Sequence, residues 1–171
     1  MGFMAPPSEQ DEQPLGGARE RYRRPRLPAP VTLGLAVGAE WVAASIVRQR
    51  VEAWLQALRW PPAQIEELVL AVSEAVSNSV EHGYQVPPDA VDHPGIVEVR
   101  GRLIEDLDGF RRAELTVRDH GTWREPSPAA STRGHGTLIM RTCADRFIRE
   151  HGPTGTTVVL LSRPTPPPLE G

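Results

Sequence analysis

One cysteine, Cys143, occurs in the 171 residues, so no disulfide can form within the chain. Its neighbours Thr142 and Ala144 suit a helix interior better than an electropositive, reactive site, and a reducing, cytoplasmic setting is expected. No apolar run approaches the length of a membrane span, and the start MGFMAPPSEQ lacks the charged opening and apolar centre of a signal peptide, so neither a membrane nor an export route is expected. Charge of one sign is also scarce. A formal net charge of -3 gives no strong field for nucleic acid or anionic lipid, although arginines near the N-terminus form a local basic cluster. His82, His120 and His135 fall in separate segments without the short paired spacing or the cysteines of a zinc site, which argues against a metal cluster. No internal repeat is present.

What remains is ordinary for one soluble globular domain: 39% hydrophobic and 24% charged residues, enough to bury a core. Residues 1–30 are rich in Pro, Gly, Gln, Glu and Arg and are expected to be disordered, because they cannot offset the entropy of ordering. Residues 164–171 form a proline-rich tail, expected to be disordered on the same grounds. The folded region is thus placed at 31–163.

Periodicity supplies the elements. Val31, Leu33, Leu35 and Val37 alternate as in a strand. From Glu40, Trp41, Val42, Ile46, Val47, Val51, Trp54, Leu55 and Leu58 recur at helical spacing, and Trp60-Pro61-Pro62 ends that helix and begins a second. Trp41, Trp54 and Trp60 are most simply core or helix-packing residues. The second helix carries Ile65, Leu68, Val69, Val72, Val76 and Val80 on one stripe, up to Gly83. GIVEVRGRLIED and FRRAELTVRDHG read as a hairpin around Leu107-Asp108-Gly109. A short helical pattern follows at Leu138, Ile139, Arg141 and Cys143, and DRFIRE with TTVVLLS forms a closing hairpin.

Three polar features stand out against this frame. Glu74 and Asn78, four residues apart, sit opposite the apolar stripe of the second helix. On that helix alone they fit a solvated polar face as well as a site. Asp119 continues the period of two set by Ala113, Leu115 and Val117, which points a carboxylate inward. It is either a turn residue before Gly121 or an acceptor for a ligand donor such as a purine amine. Arg133-Gly134-His135-Gly136 stands before a helix, where glycines let backbone N–H groups approach a phosphate, or simply form a hinge. The polar stretch from Thr122 to Arg133 is long enough for a lid.

In this order, Glu-x-x-x-Asn on a helix, Asp-x-Gly after a strand, Gly-x-Gly before a helix and Gly-Thr opening the last strand resemble the GHKL nucleotide-binding superfamily. The closer resemblance is to the bacterial anti-sigma-factor serine/threonine kinases: SEAVSNSVEHGY is similar to their N-box, VRDHG and RGHGTLIM to their two glycine boxes, and GTTVVL to their terminal strand. The resemblance covers about Val31 to Arg163. It implies an α+β, two-layer sandwich of the Bergerat ATP-binding type, with a mixed, mainly antiparallel sheet covered on one face by helices. It also implies ATP and Mg²⁺ as cofactors. Glu74 becomes the general base toward a Ser/Thr hydroxyl and Asn78 the Mg²⁺ ligand. Asp119 and Gly121 become the adenine contacts; Gly134, His135 and Gly136 the phosphate loop; and Thr156 a residue beside the base. Trp123 stands where the family often has a second glycine, and Thr137 where leucine is common.

The implied activity is phosphorylation of an anti-sigma-factor antagonist, with a sigma factor bound alternatively and homodimers expected. Two alternatives stay open: a partner-switching module that transfers no phosphate, and the ATPase domain of a histidine-kinase-type system. A phospho-acceptor helix ahead of the domain, which the latter would carry, is not seen in the sequence.

Overall fold

A computed structural model describes residues 32–87, 94–122 and 135–168, with the His135 side chain excepted. The N-terminal arm, Trp123, Arg133 and Gly134 lie outside the described residues. The elements are β1 (Thr32–Gly38), α1 (Ala43–Ala57), α2 (Pro62–Asn78) with a π-helical turn (Ser79–Gly83), β2 (Ile96–Glu105), β3 (Arg111–Asp119), α3 (His135–Cys143), β4 (Arg146–Gly152) and β5 (Gly155–Leu161). The strands form one sheet in the order β1-β2-β3-β5-β4, and each neighbouring pair is antiparallel. Val97, Val99, Ala113, Leu115, Val117, Val158 and Leu160 alternate onto one face and are buried beneath the helices. The other face carries ion pairs such as Arg102–Glu114 and Arg100–Glu98. The result is the expected α+β sandwich.

In the helical layer α2 packs between α1 and α3 and lies over β3 and β5. Val72, Val76 and Leu68 are fully buried there, each contributing about 1.5–3 kcal/mol of apolar burial. The corner between α1 and α2 shows how local chemistry fixes this layer. Trp60 N–H donates to Leu55 O (3.0 Å) and Arg59 N–H to Gln56 O (2.9 Å), closing α1 with a Schellman motif. Arg59 takes the left-handed position, φ 53°, where glycine is usual. Pro62 then opens α2, its missing N–H being one that a first helical turn leaves unpaired anyway.

Arg111 locks this corner to the sheet. The residue is 3% exposed, and its guanidinium lies 5.0 Å from the Trp60 ring centre and donates to Leu58 O at 2.9 Å. It also reaches Pro166 O, and the Arg111 and Thr165 backbones exchange hydrogen bonds of 2.7 and 2.8 Å. The proline-rich tail, expected to be unordered, is therefore docked as far as it is described: Thr165 is buried because the edge of β3 beyond β5 would otherwise leave backbone groups unpaired.

Other boundaries also differ from expectation. The first helix begins at Ala43, three residues after Glu40, and Trp41, Val42 and Ile46 are exposed rather than core. Trp41 has its ring N–H on Pro87 O at 2.9 Å, which satisfies the indole without burying it. The second helix changes to π geometry over its last five residues, Tyr84 N–H donating to Ser79 O at 2.9 Å.

Candidate functional site

The site is built from the C-terminal half of α2, the end of β3, the start of β5 and the first turn of α3. Ser73, Ala75 and Val76 are buried, and Glu74, Ser77 and Asn78 are half-buried. The polar face opposite the apolar stripe is not open to water along its length, because α3 covers part of it. A Cβ on Gly136, in the first turn of α3, would lie 2.9 Å from Glu74 Oε2 and 3.5 Å from Asn78 Nδ2. Glu74, Asn78 and Gly136 thus converge, and a larger residue at 136 would push α3 away from the carboxylate.

Asp119 is turned inward and is 1% exposed. Its Oδ1 accepts two backbone hydrogen bonds, from Gly121 N–H and Thr156 N–H, each 3.1 Å. Its Oδ2 is buried without a hydrogen-bond partner among the described residues, and so is Thr156 Oγ1. A buried carboxylate oxygen normally finds a donor, so this one is poised to accept from a donor that enters the site. Glycines keep the walls close. A Cβ on Gly83 would sit 3.1 Å from the Asp119 carboxylate, and one on Gly121 would sit 2.1 Å from Gly83 O. Gly155 has φ 118° and lies against Asp119 O, 2.0 Å from where its Cβ would be.

Of the residues named from the sequence, Glu74, Asn78 and Gly136 form one cluster, and Asp119, Gly121 and Thr156 another, with the helix from Asn78 to Gly83 between them. Gly134 lies outside the described residues, and only the backbone of His135 is described, as the first residue of α3. The helix thus begins within the second glycine box rather than after it. No group of three or more His, Cys, Asp or Glu side chains is placed to hold a metal among the described residues. His120 instead pairs with Glu98, Nε2 to Oε1 3.0 Å, and this contact together with Arg100 holds the Glu98 carboxyl below its ordinary range. Burial pushes His82 down and Cys143 up, and Glu67 adds to the latter, in keeping with an unreactive thiol.

The sequence did not single out the role of Tyr84. Its hydroxyl lies at the junction of three segments, donating to Ile96 O (2.6 Å) and accepting from Ile96 N–H (3.2 Å) and His120 N–H (2.9 Å). Only its place directly after Gly83 hinted at this.

Residues 38–161 match the family model of the histidine kinase-like ATPase domain, and the chain belongs to that family. Within it, the chain is 30% identical over 140 residues to the anti-sigma F factor of Halalkalibacterium halodurans, covering 75% of this chain and 89% of the relative. It is 34% identical over 128 residues to the anti-sigma F factor of Geobacillus stearothermophilus, covering 68% and 81%. Among solved structures it resembles the RsbU and RsbW domains of a Mycobacterium tuberculosis protein, with TM-score 0.57 and 28% identity, covering 80% of this chain but 33% of that one. The chain spans about a third of that solved protein. No helix among the described residues is long and apolar enough to cross a membrane.

Proposed function

We propose that the chain is an ATP-dependent serine/threonine kinase that acts on an anti-sigma-factor antagonist and, in alternation, binds a sigma factor. The observation that carries the nucleotide part is the buried Oδ2 of Asp119, which, like the Thr156 hydroxyl, has no hydrogen-bond partner among the described residues. An adenine amino group supplies the missing donor, whereas the carbonyl of guanine at that position would face a carboxylate. Gly83 and Gly121 let the two backbone segments close tightly about the Asp119 carboxylate. At the other end, Asn78 offers a neutral oxygen suited to a hard cation already bound by phosphates and water, and Mg²⁺ there would neutralise phosphate charge.

Glu74 supplies the chemistry proper to this chain. Its carboxylate takes the proton from the incoming Ser/Thr hydroxyl, that oxygen bonds to the γ-phosphorus, and the bond from the γ-phosphorus to the β,γ-bridging oxygen breaks to release ADP. The convergence of Glu74 and Asn78 on Gly136 supports placing base and metal ligand beside the same phosphate. The relatives named anti-sigma F factor support the regulatory part and the choice of partners. A homodimer belongs to the same proposal.

The test is transfer of label from γ-labelled ATP to a purified candidate antagonist. Glu74→Ala is expected to retain ATP binding and to lose transfer by about 10²–10⁴-fold. A wild-type protein that binds ATP and labels no antagonist contradicts the kinase assignment and leaves a binding module.

A further inference from the structure

From these contacts we infer that Tyr84 is a positioning residue that sets the purine selectivity of the site, by fixing the backbone turn that presents Asp119. The inference rests on the nucleotide reading above and deepens it. Consecutive N–H groups at the end of β3 have different acceptors: His120 N–H goes to the Tyr84 hydroxyl at 2.9 Å, and Gly121 N–H goes to Asp119 Oδ1 at 3.1 Å. The second bond, with that from Thr156 N–H, holds one carboxylate oxygen and leaves the other as a pure acceptor toward the site. The first determines where the peptide carrying the second lies.

The Tyr84 hydroxyl is itself held from the far side. It donates to Ile96 O at 2.6 Å and accepts from Ile96 N–H at 3.2 Å, so the first residue of β2 fixes the oxygen on which His120 depends. Its ring is seated against Gly95, where a Cβ would come within 2.6 Å of ring carbon Cε1. His120 is also restrained through its side chain by Glu98 on β2. Because Tyr84 follows directly on the π-helical turn, the same residue ties the helix bearing Asn78 to the strand bearing Asp119. Without the hydroxyl, His120 N–H loses its acceptor and the 119–121 turn can rotate. The carboxylate then no longer presents a fixed acceptor, and its preference for a purine carrying an amino group in place of a carbonyl falls.

Tyr84→Phe and, separately, Gly95→Ala, which displaces the ring and leaves the hydroxyl in the sequence, are compared with wild type by calorimetric titration with Mg·ATP and Mg·GTP, alongside thermal melts. The expected result is ATP affinity weakened about tenfold in both variants, GTP affinity unchanged or raised, and a correspondingly smaller ATP-to-GTP ratio. If both nucleotides weaken by the same factor, or if neither changes in a folded variant, Tyr84 serves only the fold and the inference is overturned. If wild type binds neither nucleotide, the underlying nucleotide reading fails instead.

Discussion

The carbonyl oxygen of Gly83 lies 2.1 Å from where a Cβ on Gly121 would fall. The end of the α2 helix and the turn after β3 are thus in contact through backbone alone, and the pocket that contains Asp119 has its shape only because both residues are glycine. Gly121→Ala must separate the two segments. The expected cost is about 3 kcal/mol, read as a shifted urea midpoint, with loss of ATP binding. Gly34→Ala, where nothing lies within 4 Å of the new carbon, is expected to change stability by less than about 0.5 kcal/mol.

Asp119→Asn separates the two duties of the carboxylate. The remaining side-chain oxygen still accepts from Gly121 and Thr156 N–H, so the fold is kept, but the position now occupied by the buried acceptor becomes an N–H donor. ATP affinity is expected to fall about a hundredfold in a titration followed by fluorescence or calorimetry, with the melting temperature little changed.

At the α1–α2 corner, Arg59 holds φ 53° in a position that favours glycine. Arg59→Gly is expected to stabilise the protein, by up to about 1 kcal/mol, because the left-handed penalty outweighs the added freedom of the unfolded chain. Denaturant titration of the two proteins checks the sign.

Burial holds the His82 imidazole below its ordinary value of 6.5. Between that value and the lower folded one, the unfolded chain binds more protons than the folded chain, so stability declines as pH falls through about 6.5 and levels off below the folded value. Glu98, held down by His120 and Arg100, contributes stabilisation that is present above its ordinary 4.5 and is lost as pH falls through its lowered value. His82→Gln is expected to flatten the upper slope and leave the lower one, as seen in melts from pH 7.5 to 3.5.

The strands and both long helices could be read from the sequence because alternation at Leu115, Val117 and Val158, and the stripe of Leu68, Val72 and Val76, are direct consequences of burial on one face. Asp119 was legible for the same reason: it continues an inward row. Trp41 and Ile46 were misplaced because helical spacing does not say whether a neighbouring element covers the face, and here none among the described residues buries them. The docking of Thr165 against Arg111 and the triple bonding of Tyr84 connect residues 54 and up to 36 positions apart, and no local pattern encodes such a pairing. The π-helical turn at Ser79–Gly83 was hidden likewise, since the apolar spacing that marks a helix does not show where its turn widens.

The central claim is that a purine triphosphate is held between the Glu74–Asn78 face and Asp119. Isothermal titration of Mg·ATP into the wild-type chain tests it most directly. The account predicts a saturable, one-to-one heat with a dissociation constant of about 1 μM to 1 mM, weakened about a hundredfold in Asp119→Asn. No saturable heat in wild type with millimolar ATP, or the same heat in both proteins, would contradict it.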